Sequence, residues 1–507
     1  LVRRIYAQDE IEILSNLRVL AGLRVDVPIF EKTGYRNFEV DTMKFMDENG
    51  KTVFYKTDKL PDPRPLISPR LGFNFDVFGD KQTQLRGGTG IFTGQPAFVW
   101  ISNQIGNNGI LTGFERLTNT TNRPFSPDIN RWKPATVSGT PASSYELSLT
   151  DPKFKFPQVW RTNIAVDQKL PENLFATIEY IYSSDVNGLY YINANLPNPN
   201  GAFNGPDKRP RWVGTNSNKI YSKVDNAIVL KNQNVGYSWN ISAALEKIYD
   251  KGLYGKIGYS YGVSKNTVDP GSIASGSWQN NAHAGNPNNP GLSYSANTPD
   301  HRFFAALSYR LDYFNFGATT VSLFFDAYNV GRASYVYSAD FNGDGGRSND
   351  LIYIPKDKSE MNFQQYTVGT TTFTVQQQQD AWEAYIQQDK YLKSRRGKYA
   401  ERNGVVLPMV ARLDLSIAQE VYGSIEGQRN SLEIRLDIMN FTNLLNSDWG
   451  VSQSMNITAP LEPRGVDANG VPIFRLRNID NQLVGTGKLA TTFKKNASVF
   501  DVYRIQL

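Results

Sequence analysis

The chain has 507 residues, a formal net charge of +6, no cysteine and two histidines, His283 and His301. That composition removes thiolate chemistry, disulfides and Cys-based zinc sites, and two histidines eighteen residues apart are a poor basis for a His-based metal or acid–base centre. Mean hydropathy is −0.44 and no apolar run approaches the roughly 18 residues of a spanning helix. A helical membrane protein is excluded, whereas a membrane barrel, apolar only at alternate strand positions, is not. The charge is too diffuse for a nucleic-acid partner.

The chain opens at Leu1 on strand-like residues with no leader, which predicts a fragment of a longer protein. A short turn at Ser15-Asn16 leads to Leu17–Val27, where Leu17, Val19, Ala21, Leu23, Val25 and Val27 alternate with Arg18, Leu20, Gly22, Arg24 and Asp26. This period of two predicts a strand with one apolar and one polar side. The long polar stretch Pro28–Ile67 follows, then a weaker alternation over Leu71–Phe78 and a turn at Gly79-Asp80-Lys81. Arg86-Gly-Gly-Thr-Gly90 lacks the Lys-Ser/Thr of a phosphate loop. It predicts a strand that bends or that a plug approaches closely.

Phe92, Phe98, Trp100 and Phe114 surround the Asn/Gly-rich stretch Gly94–Gly113. Two readings apply, ligand contact at a mouth or an interfacial girdle and loop core, and the second is the plainer. After the long loop Gln95–Phe156, the turn Pro171-Glu172-Asn173 precedes the strand pattern Leu174–Ser183. The loop Asp185–Val235 leads to Asn240–Tyr249, a turn at Asp250-Lys251-Gly252 and the loop Ser264–Pro299. Arg302–Tyr313 sets Phe303, Ala305, Leu307, Tyr309, Leu311 and Tyr313 against Arg302, Phe304, Ala306, Ser308, Arg310 and Asp312. The segment Gly331–Pro408 is the longest loop, and Trp382, Tyr385, Ile386 and Leu392 predict a short helix within 375–403. Arg412–Val421, a turn over Tyr422–Gln428, Ser431–Phe441 and a last strand Val499–Leu507 complete the series.

Segments of about ten residues, joined alternately by short turns and long loops, fit an all-β transmembrane antiparallel barrel with its long loops outside. Thirteen to fifteen membrane strands are expected, and the odd count that the direction of the first and last strands implies points to strands preceding Leu1. Arg18, Arg24, Asp26, Arg302, Arg310, Asp312, Arg412, Asp414, Glu433, Arg435 and Asp437 are expected to face a wet lumen or a plug. Their interspersed signs suit contact with a plug better than selection of one ionic sign.

The sharpest local motif is Asp340-Phe-Asn342-Gly-Asp344-Gly-Gly-Arg-Ser-Asn-Asp350. Alternating side-chain oxygens followed by Gly suit a hard cation, and Asp340, Asn342, Asp344 and Asp350 are candidate ligands for a structural calcium. Position twelve of an EF-hand would be Leu351, so that fold of loop is not expected. An Asn/Asp/Gly turn without an ion is the equal alternative. The two histidines are expected to be solvated polar residues, and no carboxylate pair earns a catalytic assignment.

Ser68-Pro-Arg-Leu-Gly-Phe-Asn-Phe-Asp76, Thr83-Gln-Leu-Arg-Gly-Gly-Thr-Gly-Ile-Phe92 and Phe98-Val-Trp-Ile-Ser-Asn-Gln104 resemble the Oar-like TonB-dependent receptors of Bacteroidetes-type bacteria. So do Asn342-Gly-Asp-Gly345, Asn349-Asp-Leu-Ile-Tyr-Ile-Pro355, Tyr399-Ala-Glu-Arg-Asn-Gly404 and Asn446-Ser-Asp-Trp-Gly450. The resemblance implies that residues 1–507 are the C-terminal part of a 22-stranded receptor barrel, with 331–408 inserted as an extracellular loop. Plug, first strands, N-terminal domain and TonB box would lie upstream, and the end at Leu507 departs from the family's terminal aromatic. Implied partners are outer-membrane lipid, the protein's own N-terminal plug, the TonB complex, and a surface lipoprotein or other outer-membrane proteins. The expected function is energy-coupled uptake of a large nutrient (peptide, glycan or chelate) across the outer membrane, with no enzymatic activity. Oar-like protein export or surface assembly, and a passive porin or surface scaffold, are the alternatives.

Overall fold

The computed structural model describes residues 1–33, 35–114, 120–133, 141–247, 252–477 and 489–507. Its main element is a 14-stranded antiparallel sheet in which each long strand pairs with the next long strand along the chain. The long strands include Val2–Leu14, Leu17–Pro28, Gln158–Leu170, Leu174–Asp185, Leu253–Asn266, Asp300–Tyr313, Gly317–Asn329 and Met409–Ile425. At one end the hairpins close tightly. Glu426 and Gly427 both take positive φ, the conformation that matches a two-residue turn to strand twist, and Glu172, Asn173, Phe314 and Asn315 take positive φ in three-residue turns. The turn expected over Tyr422–Gln428 is therefore shorter than its sequence suggested, because the flanking strands run to Ile425 and resume at Gln428. The expected turn at Asp250-Lys251 lies outside the described residues.

At the glycines over Arg86–Gly90 it is the neighbouring strands of the same sheet that come close. A Cβ on Gly90 would stand 2.8 Å from the Pro69 carbonyl oxygen, and one on Gly87 would stand 2.8 Å from that of Asn163. Neighbouring backbones there leave no room for a side chain.

The expectation of a closed, 22-stranded transmembrane barrel is corrected. A barrel closes when its terminal strands exchange backbone hydrogen bonds. Here Val2–Leu14 pairs only with Leu17–Pro28, and the last strand is the three-residue Arg504–Gln506, pairing Asp437–Met439. Among the described residues no pairing joins these two ends, so the sheet is open with two edges. Closure is a property of edge partners, which a local alternation cannot encode. The last strand is also shorter than expected: Val499–Tyr503 is not strand.

At the other end, the long connections fold into a body that contains both hydrophobic cores. One is built on a three-stranded sheet, where Val224–Gln233 pairs antiparallel with Gly188–Asn193 and parallel with Tyr145–Thr150. Tyr145, Leu147, Ile192 and Ile228 are fully buried in it. The second core centres on Tyr335, Ile352, Trp382 and Tyr385. The helix expected in the longest loop is present as Val375–Gln388, started by a capping box in which the Thr374 hydroxyl accepts from the Gln377 N–H. Trp382 and Tyr385 stack at 5.8 Å on its buried side. Helices at Val99–Gly106 and Ala274–Gln279 were not foreseen.

Candidate functional site

The sheet has two chemically distinct faces, and its register fixes which residue stands on which. Cross-strand partners share a face. Arg18 stands opposite Glu12 and Asn74, Arg24 opposite Tyr6, and Asp26 opposite Arg4. Arg302 faces Tyr328, Arg310 faces Thr320, and Asp312 faces Ala318. Arg412 is paired with Asp326 and Asp414 with Phe324. Glu433, Arg435 and Asp437 stand opposite Glu420, Ala418 and Ser416. Followed from partner to partner, all eleven charged residues singled out by alternation lie on one side of the sheet.

That side is internally compensated. Arg24 bonds Asp26 at 2.7 Å, Arg86 bonds Asp167 at 2.7 Å, Arg310 bonds Glu420 at 2.7 Å, and Lys256 bonds Glu246 at 3.0 Å. Arg302 reaches both oxygens of Asp326 at 3.0 and 3.2 Å, a bidentate geometry. The opposite side is apolar and uncovered. Ile178, Leu432 and Ile434 are 58%, 67% and 58% exposed, and Leu71, Ile164, Ile257, Leu307 and Leu311 are exposed with them. A continuous apolar surface of this extent needs a non-aqueous neighbour.

The second candidate lies in the loop body. The carboxylate of Asp340 accepts from the Gly343 and Gly345 N–H groups at 2.8 and 2.9 Å. Asn342 Oδ1 accepts from the Asp344 N–H at 3.0 Å, and Asp344 Oδ1 accepts from the Gly346 N–H at 2.7 Å. Asp350 Oδ2 accepts from the Phe341 N–H at 3.0 Å. Each thus serves as an Asx-type cap within the turn. Gly343 has φ +82 and sits where a Cβ would overlap the Trp212 carbonyl oxygen, so the turn packs directly on a second loop.

Behind this turn lies Arg209, fully buried. It bonds Asp207 at 3.0 Å, Asp350 at 3.2 Å and the Leu351 carbonyl at 2.6 Å. Its guanidinium lies 4.9 to 5.2 Å from the rings of Phe341, Tyr399 and Tyr337. Burial, reinforced by the charge of Asp344, pushes the Asp340 carboxyl up to about 7 against the pull of the Gly345 and Gly343 N–H groups. Burial also raises Asp350, in spite of Arg209.

The two histidines part company. His301 is exposed, stacked on Tyr261 at 4.4 Å with Nδ1 2.7 Å from the Tyr259 hydroxyl. His283, expected to be solvated, is fully buried. Its backbone bridges to Asp350, its N–H donating to the Asn349 carbonyl at 2.8 Å and its carbonyl accepting from Leu351 at 2.9 Å. Its Nε2 is 3.0 Å from Asp344 Oδ2. His283, Asp344 and Asp350 offer ligand atoms all within 4.8 Å of one another; Asp340 is not in that group. Asp207, Arg209 and His283 carry no local signal in the sequence, because each acquires its role from a segment far along the chain. Of the aromatics near the glycine-rich stretch, Phe92 lies beneath Arg70 at 4.6 Å, Phe98 packs on Phe156 at 6.5 Å, and the Trp100 indole donates to the Gly271 carbonyl at 2.8 Å.

The model of a family described as outer membrane beta barrel domain matches residues 2–458. No curated protein matches the chain in sequence. Among solved structures it is similar to a mutant of the ferric enterobactin receptor of Pseudomonas aeruginosa, at 9% identity and TM-score 0.40, over 87% of this chain and 39% of that one. The siderophore receptor PirA of Acinetobacter baumannii matches at 9% identity and TM-score 0.41, over 87% and 41%. The iron transporter FrpB of Neisseria meningitidis matches at 11% identity and TM-score 0.40, with the same coverage. The chain spans less than half the length of these structures.

Proposed function

Because this chain belongs to the outer membrane β-barrel domain family, we propose that it supplies the lipid-facing sheet and the outer loop body of an Oar-like, TonB-dependent receptor. Membership of that family makes it an outer-membrane protein rather than an enzyme. The receptor takes up a large nutrient (peptide, glycan or chelate), with the protein's own N-terminal plug and the TonB complex as partners. Residues 331–408 are read as an insertion on the outer side.

One observation carries the reading. A sheet whose apolar side is uncovered and whose other side is a mosaic of paired charges separates hydrocarbon from a polar space. Mixed, mutually bonded signs suit a polar protein surface lying against them better than a stream of one kind of ion.

A strain lacking the gene tests it. Uptake of one nutrient class should fall to background, and a protonophore should abolish the same uptake in the parent strain. Unchanged entry of every nutrient, with a surface protein now missing from the cell exterior, would overturn uptake in favour of export.

A further inference from the structure

We infer that His283, Asp344, Asp350 and the side chain of Asn349 form a buried site for one first-row divalent metal ion, of the zinc or manganese class, that ties two outer loops together.

The first support is geometric. His283 Nε2 stands 3.0 Å from Asp344 Oδ2 and 3.3 Å from Asn349 Nδ2. One nitrogen cannot serve both. If it carries the proton toward Asp344, it faces the amide N–H of Asn349; if it offers its lone pair to Asn349, it faces a carboxylate. Asp344 Oδ2 and Asn349 Oδ1 are buried and make no hydrogen bond within the protein. Turning the Asn349 amide end for end, a choice that hydrogen-bond networks alone decide, directs Oδ1 at the same point. Three lone-pair atoms then converge, which a cation satisfies and a proton does not. Adjacent donors bound at about 2.0–2.2 Å to one metal lie about 3.0–3.4 Å apart, the separation seen between Nε2 and Asp344 Oδ2.

The second support is charge. Asp207, Asp344 and Asp350 are buried around a single buried cation, Arg209. Three carboxylates against one guanidinium leave two negative charges, which one divalent ion neutralises. Asp350 can share an oxygen with a metal while retaining Arg209, because each carboxylate oxygen has two lone pairs.

The ligand set selects the metal. Calcium takes oxygen ligands, whereas imidazole with carboxylate and amide oxygen suits zinc, manganese and their neighbours. Asp340, expected to bind calcium, lies outside the group of converging ligand atoms. This inference is independent of the uptake reading, since it concerns how the loops are held.

The test uses the full-length, tag-free protein from outer membranes in detergent, stripped with a chelator and offered zinc, manganese or calcium alone. Elemental analysis should find one equivalent of zinc or manganese per chain, and titration of His283→Ala and of Asp344→Asn should show at least tenfold weaker binding. X-ray absorption of the zinc-loaded parent should show one imidazole in a nitrogen/oxygen shell, a readout that stands even if a variant misfolds. No stoichiometric metal, binding unaffected by His283→Ala, uptake of calcium only, or a shell without imidazole would each overturn the inference.

Discussion

Ile178 in the sheet and Trp382 in the loop body are both large apolar side chains, yet the first is 58% exposed and the second 1% exposed. The same reversal holds for charge. Arg302, on the sheet's polar side, is half exposed beside Asp326, whereas Arg209 in the loop body is shut away between Asp207 and Asp350. The loop body is organised as a water-soluble domain is, around a dry interior. The sheet has no such interior and turns its apolar residues outward. One chain thus follows two rules of burial, which makes sense when its two regions stand in two solvents.

The sharpest way to break this contrast is to remove Arg209. Arg209→Met leaves two buried carboxylates without their cation, and loop-body stability should fall by about 3–5 kcal/mol. Hydrogen exchange should show new opening over residues 331–408 with the sheet amides unchanged; uniform loosening of both regions would mean they are one cooperative unit. Next comes Ile178→Arg on the uncovered apolar side, expected to cost about 2–4 kcal/mol in a bilayer near its midplane. Ser242→Arg, on the polar side beside Glu179, should cost little. Equal effects of the two on unfolding in lipid vesicles would remove the distinction between the faces.

The smallest effect belongs to the seam where sheet meets loops. Asp501 accepts from the Ser452 and Ser498 hydroxyls at 2.6 and 2.5 Å and pairs with Arg412 at 3.1 Å. Burial pushes its carboxyl up, but these hydrogen bonds outweigh it and hold the group down to about 2, from an ordinary 3.8. A depressed carboxyl stabilises the fold above its unfolded value and loses that contribution as pH falls. Protection of residues 440–477 and 489–501 should therefore be constant above about pH 4 and drain as pH drops toward 2. Asp501→Asn should flatten that window.

Alternation made the sheet legible. Arg302–Tyr313 and Leu17–Val27 take the strands and the two faces that their period of two dictates, because pleating alone sets the side of each residue. The helix at Val375–Gln388 was legible for the same local reason, through Trp382 and Tyr385 at helical spacing. The rest depends on partners distant in sequence. Nothing around His283 announces that residues 349–351 will bridge it, and nothing around Phe203 announces its stack on Phe341 at 4.4 Å. Likewise, no residue inside a strand states which edge, if any, will meet it.

The long connections are woven together. Tyr145–Thr150 lies parallel to Val224–Gln233, and the Trp212 N–H donates to the Asn342 carbonyl at 2.8 Å. The Arg402 guanidinium bonds the carbonyls of Asn266 and Thr267, and the Val336 N–H reaches the Thr458 carbonyl at 3.0 Å. Such a weave has no removable thread. Excising or transplanting any one connection strips its neighbours of interior surface and backbone partners. The long connections therefore make a single sculpted cap over one end of the sheet, which selection must reshape as a whole.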